Sequence, residues 1–497
     1  MSDTIVSDST QAPPPKLSRI EQMASNQLDL FVPDRFDILF RRAETKLNTI
    51  ITPVDDALRK IDDLAADMRA AGRGAFLILR GESGAGKSTF LNTVHLFRKQ
   101  VEELSIPGSS NLAEALNQLT PSLMQLRIIS LEGREALKEV KDSEIEANLH
   151  AINSFIRGAA GEKTLIVWPC NTDDLKSRLI NLASKLGADS LLGIGEPAFG
   201  FTGPQKSEFI RIATQTIHTL NEGASLADLG VSQIRTDELL TDAKTIGAFL
   251  GHLRQDLRAN RAKVENLLAT ERCRMWVIVA AGNDPDNEVS SLTRGGLSTG
   301  DIDKMMGATD ANIVAELKKK PSEIGILGTT LDAKILHLPM ITALTSMRTF
   351  ADSTLKSKMA AAGMSTSVAN DAVTRLQDSE IAHAFRGEPL GPRSTGSKPG
   401  SNTVKAFESL AEIASSNDSS LNRALGEALK KADLITDFKV EQDLGTGLRR
   451  RTDILCETTD GPIRLELMWR RKTSRAEIAN YVLAKLSNYG KAIGYLT

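Results

Sequence analysis

The chain has 497 residues, 41% hydrophobic and 25% charged, with 61 basic side chains against 63 acidic ones. Such a length exceeds one ordinary domain, and the near-zero net charge removes any long-range pull on nucleic acid, so binding of that kind would need a local patch. Cys170, Cys273 and Cys456 fall in no paired spacing, which argues against a disulfide framework or a zinc site, and no apolar run is long enough to span a membrane.

Residues 1–18, with Pro13-Pro14-Pro15 among Ser, Thr and Asp, cannot bury apolar surface and read as a disordered tail. The polar, acidic start lacks the basic-then-apolar pattern of a signal peptide, so a cytoplasmic protein is expected. Residues 19–72 read as helices, with apolar side chains at helical spacing in Phe36, Leu39 and Phe40 and again in Leu58, Ile61 and Leu64. Between 73 and 345, short apolar runs at 75–79, 126–131, 164–168, 275–280 and 335–338 read as strands. Helical patterns at 88–103, 143–156, 174–186, 206–220 and 245–268 separate them. That alternation predicts the α/β class, a parallel sheet covered on both faces, with a helical insertion between 187 and 241. A helical region at 346–385 leads to residues 386–402, dense in Gly, Pro and Ser, which read as a linker and the main domain boundary. Residues 403–497 then form a small domain of helix, three strands, helix and a final strand at 492–496.

The strongest motif is Gly81-Glu82-Ser83-Gly84-Ala85-Gly86-Lys87-Ser88-Thr89, which follows an apolar strand and opens a helix. Its glycines let backbone N–H groups wrap a phosphate, Lys87 reaches the β- and γ-phosphates, and Ser88 offers a hydroxyl to magnesium. The expected cofactors are therefore ATP and Mg2+. No Asn-Lys-x-Asp guanine-reading motif occurs, although ATP and GTP both fit the loop.

Hydrolysis needs an acid that holds magnesium at the end of a neighbouring strand. The run Leu165-Ile166-Val167 ends in Trp168-Pro169, and the first acids after it are Asp173 and Asp174. These either reach the metal or form the first turn of the next helix. A second run, Val277-Ile278-Val279-Ala280-Ala281-Gly282, closes on Asn283. It resembles the sensor strand of AAA+ and STAND-type ATPases, which would put Asn283 beside the γ-phosphate, with Asp284 or Asp286 in place of the missing acid. The other reading is an Asn-Asp-Pro turn. Arg294 and Arg348 are candidate γ-phosphate sensors or solvated arginines.

In the last 95 or so residues, Asp453 and Glu466 fall on one face of an expected hairpin, because side chains alternate along a strand. Two carboxylates so placed repel unless a cation lies between them, and magnesium is a natural one. Arg451-Thr-Asp453 and Leu465-Glu466-Leu467-Met468-Trp469 resemble the motif of PD-(D/E)XK nucleases, with Glu427 in the place of the helical acid. Met468 stands where that family has its lysine, and Lys485-Leu-Ser-Asn-Tyr489 resembles the helix motif of RecB-like nucleases, so Lys485 is the compensating base. Arg449, Arg450, Arg451, Arg464, Arg470, Arg471, Lys472 and Arg475 make the segment basic, as a phosphate backbone would require.

Together these resemblances imply a nucleotide-gated effector of the kind seen in bacterial anti-phage defence. Its expected partner is nucleic acid, DNA first, with a partner protein or further copies of the chain as others. The alternative is an ATP-driven switch whose degenerate nuclease-like domain only binds DNA or a protein.

Overall fold

A computed structural model describes residues 30–33, 35–43, 46–135, 141–192, 196–268, 273–390, 399–444 and 450–496. The expected tail at 1–18, residues 391–398 of the linker and Arg449 lie outside them. The described chain is α/β and divides into two compact units, 30–225 with 236–255, and 226–235 with 256–496.

The first unit is built on a five-stranded parallel sheet of β1 (Ala75–Arg80), β2 (Val101–Ile106), β3 (Leu126–Leu131), β4 (Thr164–Cys170) and β5 (Ala198–Gly200), in the order β2-β3-β4-β1-β5. Its central strands are buried on both faces. Leu77 and Leu79 of β1 pack with Leu58, Ile61 and Met68 of α1 (Asp55–Ala71), whereas Phe76 and Ile78 pack with α3 (Asp142–Arg157) and α4 (Asp173–Leu191). The inner strands β1 and β4 therefore read as apolar runs instead of alternating ones. A continuous helix over 88–103 does not form. The short α2 (Lys87–Leu91) stops where the Asn92 amide donates to Ser88 O, and β2 follows on the sheet edge.

The second unit carries a seven-stranded mixed sheet, and its membership differs from the sequence expectation. The order is β10 (Asp437–Asp443), β11 (Arg451–Glu457), β12 (Ile463–Arg470), β6 (Arg274–Ala281), β9 (Lys334–His337), β8 (Thr299–Gly300) and β7 (Thr293–Arg294). Strands β6 and β9, expected beside the phosphate loop, belong instead with the carboxyl-terminal hairpin. β6 lies parallel to β12 along its whole length, from Arg274 opposite Ile463 to Ala281 opposite Arg470. The segment 386–402 therefore does not divide two folded bodies, because one sheet draws strands from both sides of it. The expected strand at 492–496 is absent, since α8 (Arg475–Ala492) runs to Ala492 and a turn follows.

Side-chain alternation explains the layering of this sheet. Trp276, Ile278 and Ala280 of β6, Ile454 and Cys456 of β11, and Leu465, Leu467 and Trp469 of β12 face α5 (Met340–Phe350), α6 (Ser401–Ser416) and α7 (Ser419–Lys431). Met275, Val277, Val279 and Met468 face the other way, onto Ile478, Val482, Leu486 and Tyr489 of α8.

Candidate functional site

The loop between β1 and α2 is fixed from three sides. Gly81 N–H donates to Cys170 O (3.0 Å) as β1 ends, and Gly247 N–H donates to Gly84 O (2.9 Å). Gly84 and Gly86 hold φ of 82° and 94°, the left-handed region that glycine enters without penalty. Room is scarce elsewhere: a Cβ on Gly203 would come 2.2 Å from Ala85 O, and one on Gly81 2.5 Å from Phe201 O.

Lys87 is only 6% exposed. Its amine donates to Gly81 O (2.7 Å), Glu82 O (2.9 Å) and Asn171 Oδ1 (2.8 Å). Burial pulls its pKa down to about 8, against the upward pull of the Glu135 carboxylate; Arg80 adds to the fall. A buried, pre-aimed ammonium with no carboxylate bonded to it is well suited to meet an anion.

The loop opens into a cavity of about 780 Å³, lined at this end by Ser83, Gly84, Gly86, Lys87, Ser88 and Thr89, and opposite them by Glu132, Glu135 and Asn171. These last three were missed in the sequence reading. Glu132 directly follows β3 and accepts from Asn92 Nδ2 (3.3 Å) and Ser105 Oγ (3.0 Å). The Glu135 carboxylate accepts from Gly133 N–H (3.0 Å), and its own carbonyl accepts from Asn171 N–H (2.9 Å). The signal was present: the run Leu126–Leu131 passes straight into Glu132-Gly-Arg-Glu135, an apolar strand closed by acids.

The residues first expected in these roles stand elsewhere. Asp173 opens α4, with its side chain 68% exposed and paired to Lys176 (2.8 Å) and Arg80 (3.2 Å). Asp174 beside it is exposed, and neither lines the cavity. Both fit the helix-turn alternative, with acids in the first turn complementing the helix dipole. Asn283 closes β6 in the other sheet. Its side chain donates to Thr473 O (2.8 Å) and accepts from Thr473 N–H (3.0 Å), a latch between the ends of β6 and β12. The asparagine that ends a strand adjoining β1 is Asn171. Arg294, also in the second unit, donates to Ala227 O (3.0 Å) and lies 3.4 Å from Asp228. Arg348 sits on α5 with its Nε buried and without a hydrogen-bond partner.

In the second unit the acid pair meets. Ile454 lies opposite Leu465, so the same register one residue on sets Asp453 across from Glu466. The ladder ends there, and side chains take over: Asp453 Oδ2 accepts from Leu467 N–H (2.6 Å), and Thr452 Oγ1 donates to Leu465 O (3.2 Å). Glu466 is fully buried. One of its oxygens accepts from the Lys485 amine and the other from Tyr489 O–H (2.6 Å); these residues stand four apart on one face of α8. Burial pushes the Glu466 carboxyl up despite Lys485, and burial then Glu466 push Asp453 up to about 7, against the Lys485 charge and the Leu467 N–H.

Lys485 thus bonds Glu466 directly, and its charge is also felt at Asp453. Among the described residues no cluster of three His, Cys, Asp or Glu is placed to hold a metal. Glu427 is not brought to the pair. It is exposed on α7, whose apolar side packs on the opposite sheet face. Asp418, just before α7, is the further acid whose charge is felt at Asp453. Met468 is buried against α8. Of the basic segment, Arg450, Arg470, Lys472 and Arg475 are exposed, Arg451 pairs with Asp443 (3.1 Å), and Arg471 pairs with Glu412.

No protein-family model matches the chain, and no curated protein matches it either. The parallel five-stranded sheet, with the glycine loop leaving β1, is compatible with a P-loop NTPase-like domain. Among the described residues no helix is long and apolar enough to cross a membrane.

Proposed function

We propose that the chain is a magnesium-nucleotide-driven switch whose nuclease-like unit binds nucleic acid, DNA first, or a protein partner. The observation that carries the first half is convergence. Lys87, Asn171, Glu132 and Glu135 line one cavity with the loop from Ser83 to Thr89. In this reading the loop N–H groups and Lys87 hold the phosphates, Ser88 meets magnesium, and Asn171 releases Lys87 to the γ-phosphate. Glu132 and Glu135 hold the metal's waters and orient the attacking one. AAA+ or STAND-type ATPases have this plan, with an acid and an asparagine closing the strands beside the loop. The test is calorimetry and phosphate release with ATP and Mg2+: Lys87→Ala should abolish binding, and binding unchanged in that variant would end the reading.

For the second unit, the engagement of both Glu466 oxygens, by Lys485 and by Tyr489, favours a binding role over cleavage. A PD-(D/E)XK-like active site, with Asp453, Glu466 and Lys485 acting on a magnesium-bound phosphodiester, is the second reading; it is favoured by the direct apposition of Asp453 and Glu466. Incubation with DNA, Mg2+ and ATP separates them. Retention of DNA without cutting supports binding, whereas cleavage that vanishes in Asp453→Ala and Lys485→Ala establishes the nuclease and a role in nucleic-acid destruction such as anti-phage defence.

A further inference from the structure

The cavity at the phosphate loop has a second, chemically different end. The geometry points to that end as the seat of the nucleobase, held by apolar contact and ring stacking without side-chain reading of its edge, so that both purine triphosphates bind almost alike. This rests on the loop being the nucleotide site.

The lining also carries the apolar side chains of Ile50, Ile51, Val54, Ile212 and Leu250, while Ile246 lies close to Gly86 of the loop. The helix Phe36–Ala43 adds Phe36 and Phe40, whose ring centroids stand 5.7 Å apart at 40°. One cavity, polar at one end and apolar at the other, suits an amphipathic ligand, and its 780 Å³ fall within the usual range of small-molecule sites. Phe40 is 51% exposed although it borders that cavity, so a base lying over it would cover apolar surface that the fold leaves in water.

Reading guanine would need a carboxylate free to accept from the base edge. Among the described residues, the carboxylate at this end of the lining is Asp37, which faces Arg35 (3.4 Å) and Arg41 (3.8 Å) instead. Thr52 Oγ1 accepts from Arg211 (2.6 Å), and Thr216 Oγ1 donates to Ile212 O (2.7 Å). With Arg35 and Arg41 turned to Asp37, apolar contact is the main hold that the described residues of this end offer a base. Such pockets discriminate weakly, whereas sites that hydrogen-bond the ligand reject analogues by several powers of ten.

Calorimetry on the full chain with Mg-ATP, Mg-GTP and Mg-tripolyphosphate tests the inference. ATP and GTP should agree within about tenfold. Phe40→Ala should weaken both by about tenfold, as loss of a stacked ring does, and leave tripolyphosphate unchanged, while Phe40→Tyr keeps nucleotide affinity. Because Phe40 is exposed, an unchanged melting temperature is expected for both variants. A preference above a hundredfold for either base, or wild-type nucleotide affinity in Phe40→Ala, overturns the base site while tripolyphosphate binding sustains the phosphate loop. If neither nucleotide nor tripolyphosphate binds wild type, both readings fall together.

Discussion

Replacing Lys485 by Met removes the cation that faces a carboxylate with no exposure to water. Breaking a buried ion pair from one side costs about 3–5 kcal/mol, because the remaining charge is stranded. Here Tyr489 O–H still donates to Glu466, which places the expectation near the low end, at about 3 kcal/mol. The loss carries a pH signature. The folded-state pKa of Glu466 is raised above its unfolded value, so the folded state binds the extra proton, and stability falls as pH rises through that window. Removing Lys485 raises the folded value further, so the penalty should be small at low pH, where Glu466 is protonated with or without Lys485, and should grow as pH rises. Adding Glu466→Gln should restore most of the loss, since glutamine can still accept from Tyr489, and the pH dependence that remains belongs to Asp453, which also feels the Lys485 charge. A chain of two units need not unfold in one step, so the assay is amide hydrogen exchange read over β12 and α8. Exchange at pH 8 should quicken by roughly a hundredfold in Lys485→Met relative to wild type. Protection equal to wild type, or a double variant no better than the single, would refute the view that Lys485 neutralises Glu466.

Three further outcomes concern the first unit. Glu135→Gln should lower ATP turnover by about a hundredfold to ten-thousandfold with affinity nearly unchanged; phosphate release and calorimetry separate the two, and unaltered turnover moves the catalytic role to Glu132. Gly203→Ala drives a methyl group into Ala85 O, 2.2 Å away, at a φ of 79°, so Mg-ATP affinity should fall at least about tenfold, whereas Gly200→Ala, with open space at its Cβ, serves as the neutral control. Equal affinities in the two would show that the 199–204 segment does not hold the loop. Lys87 titrates near pH 8 when no phosphate faces it, and an anion favours its charged form. Nucleotide binding at pH 8 should therefore take up a fraction of a proton that disappears by pH 6.5, measured by calorimetry in two buffers of different ionisation heat; uptake that does not vary with pH would assign the proton elsewhere.

What could be read from the sequence depended on how local its cause was. The phosphate loop, the apolar runs that became β1, β3, β4, β6 and β9, and the placing of Asp453 on one face with Glu466 all follow from short-range rules: glycine dihedrals, burial on both strand faces, and a repeat of two. The partner of each strand does not. Val277-Ile278-Val279 would satisfy a parallel sheet of either unit equally well, because a strand buried on both faces presents the same aliphatic surface to any neighbour. Its assignment to β12, whose Leu465 lies opposite Trp276, is settled by packing between segments far apart in the chain. The consequence for function is specific. Once β6 leaves the first sheet, Asn283 goes with it and becomes a latch on Thr473; the strand beside β1 that ends in an asparagine is β4, and β3, which leads into Glu132, lies next to β4. Glu132, Glu135 and Asn171 thereby inherit the positions from which an acid and an amide can act on a bound phosphate. On the proposed reading, the acid absent after Val167 is supplied one strand away, and hydrolysis is what that reading predicts for this loop.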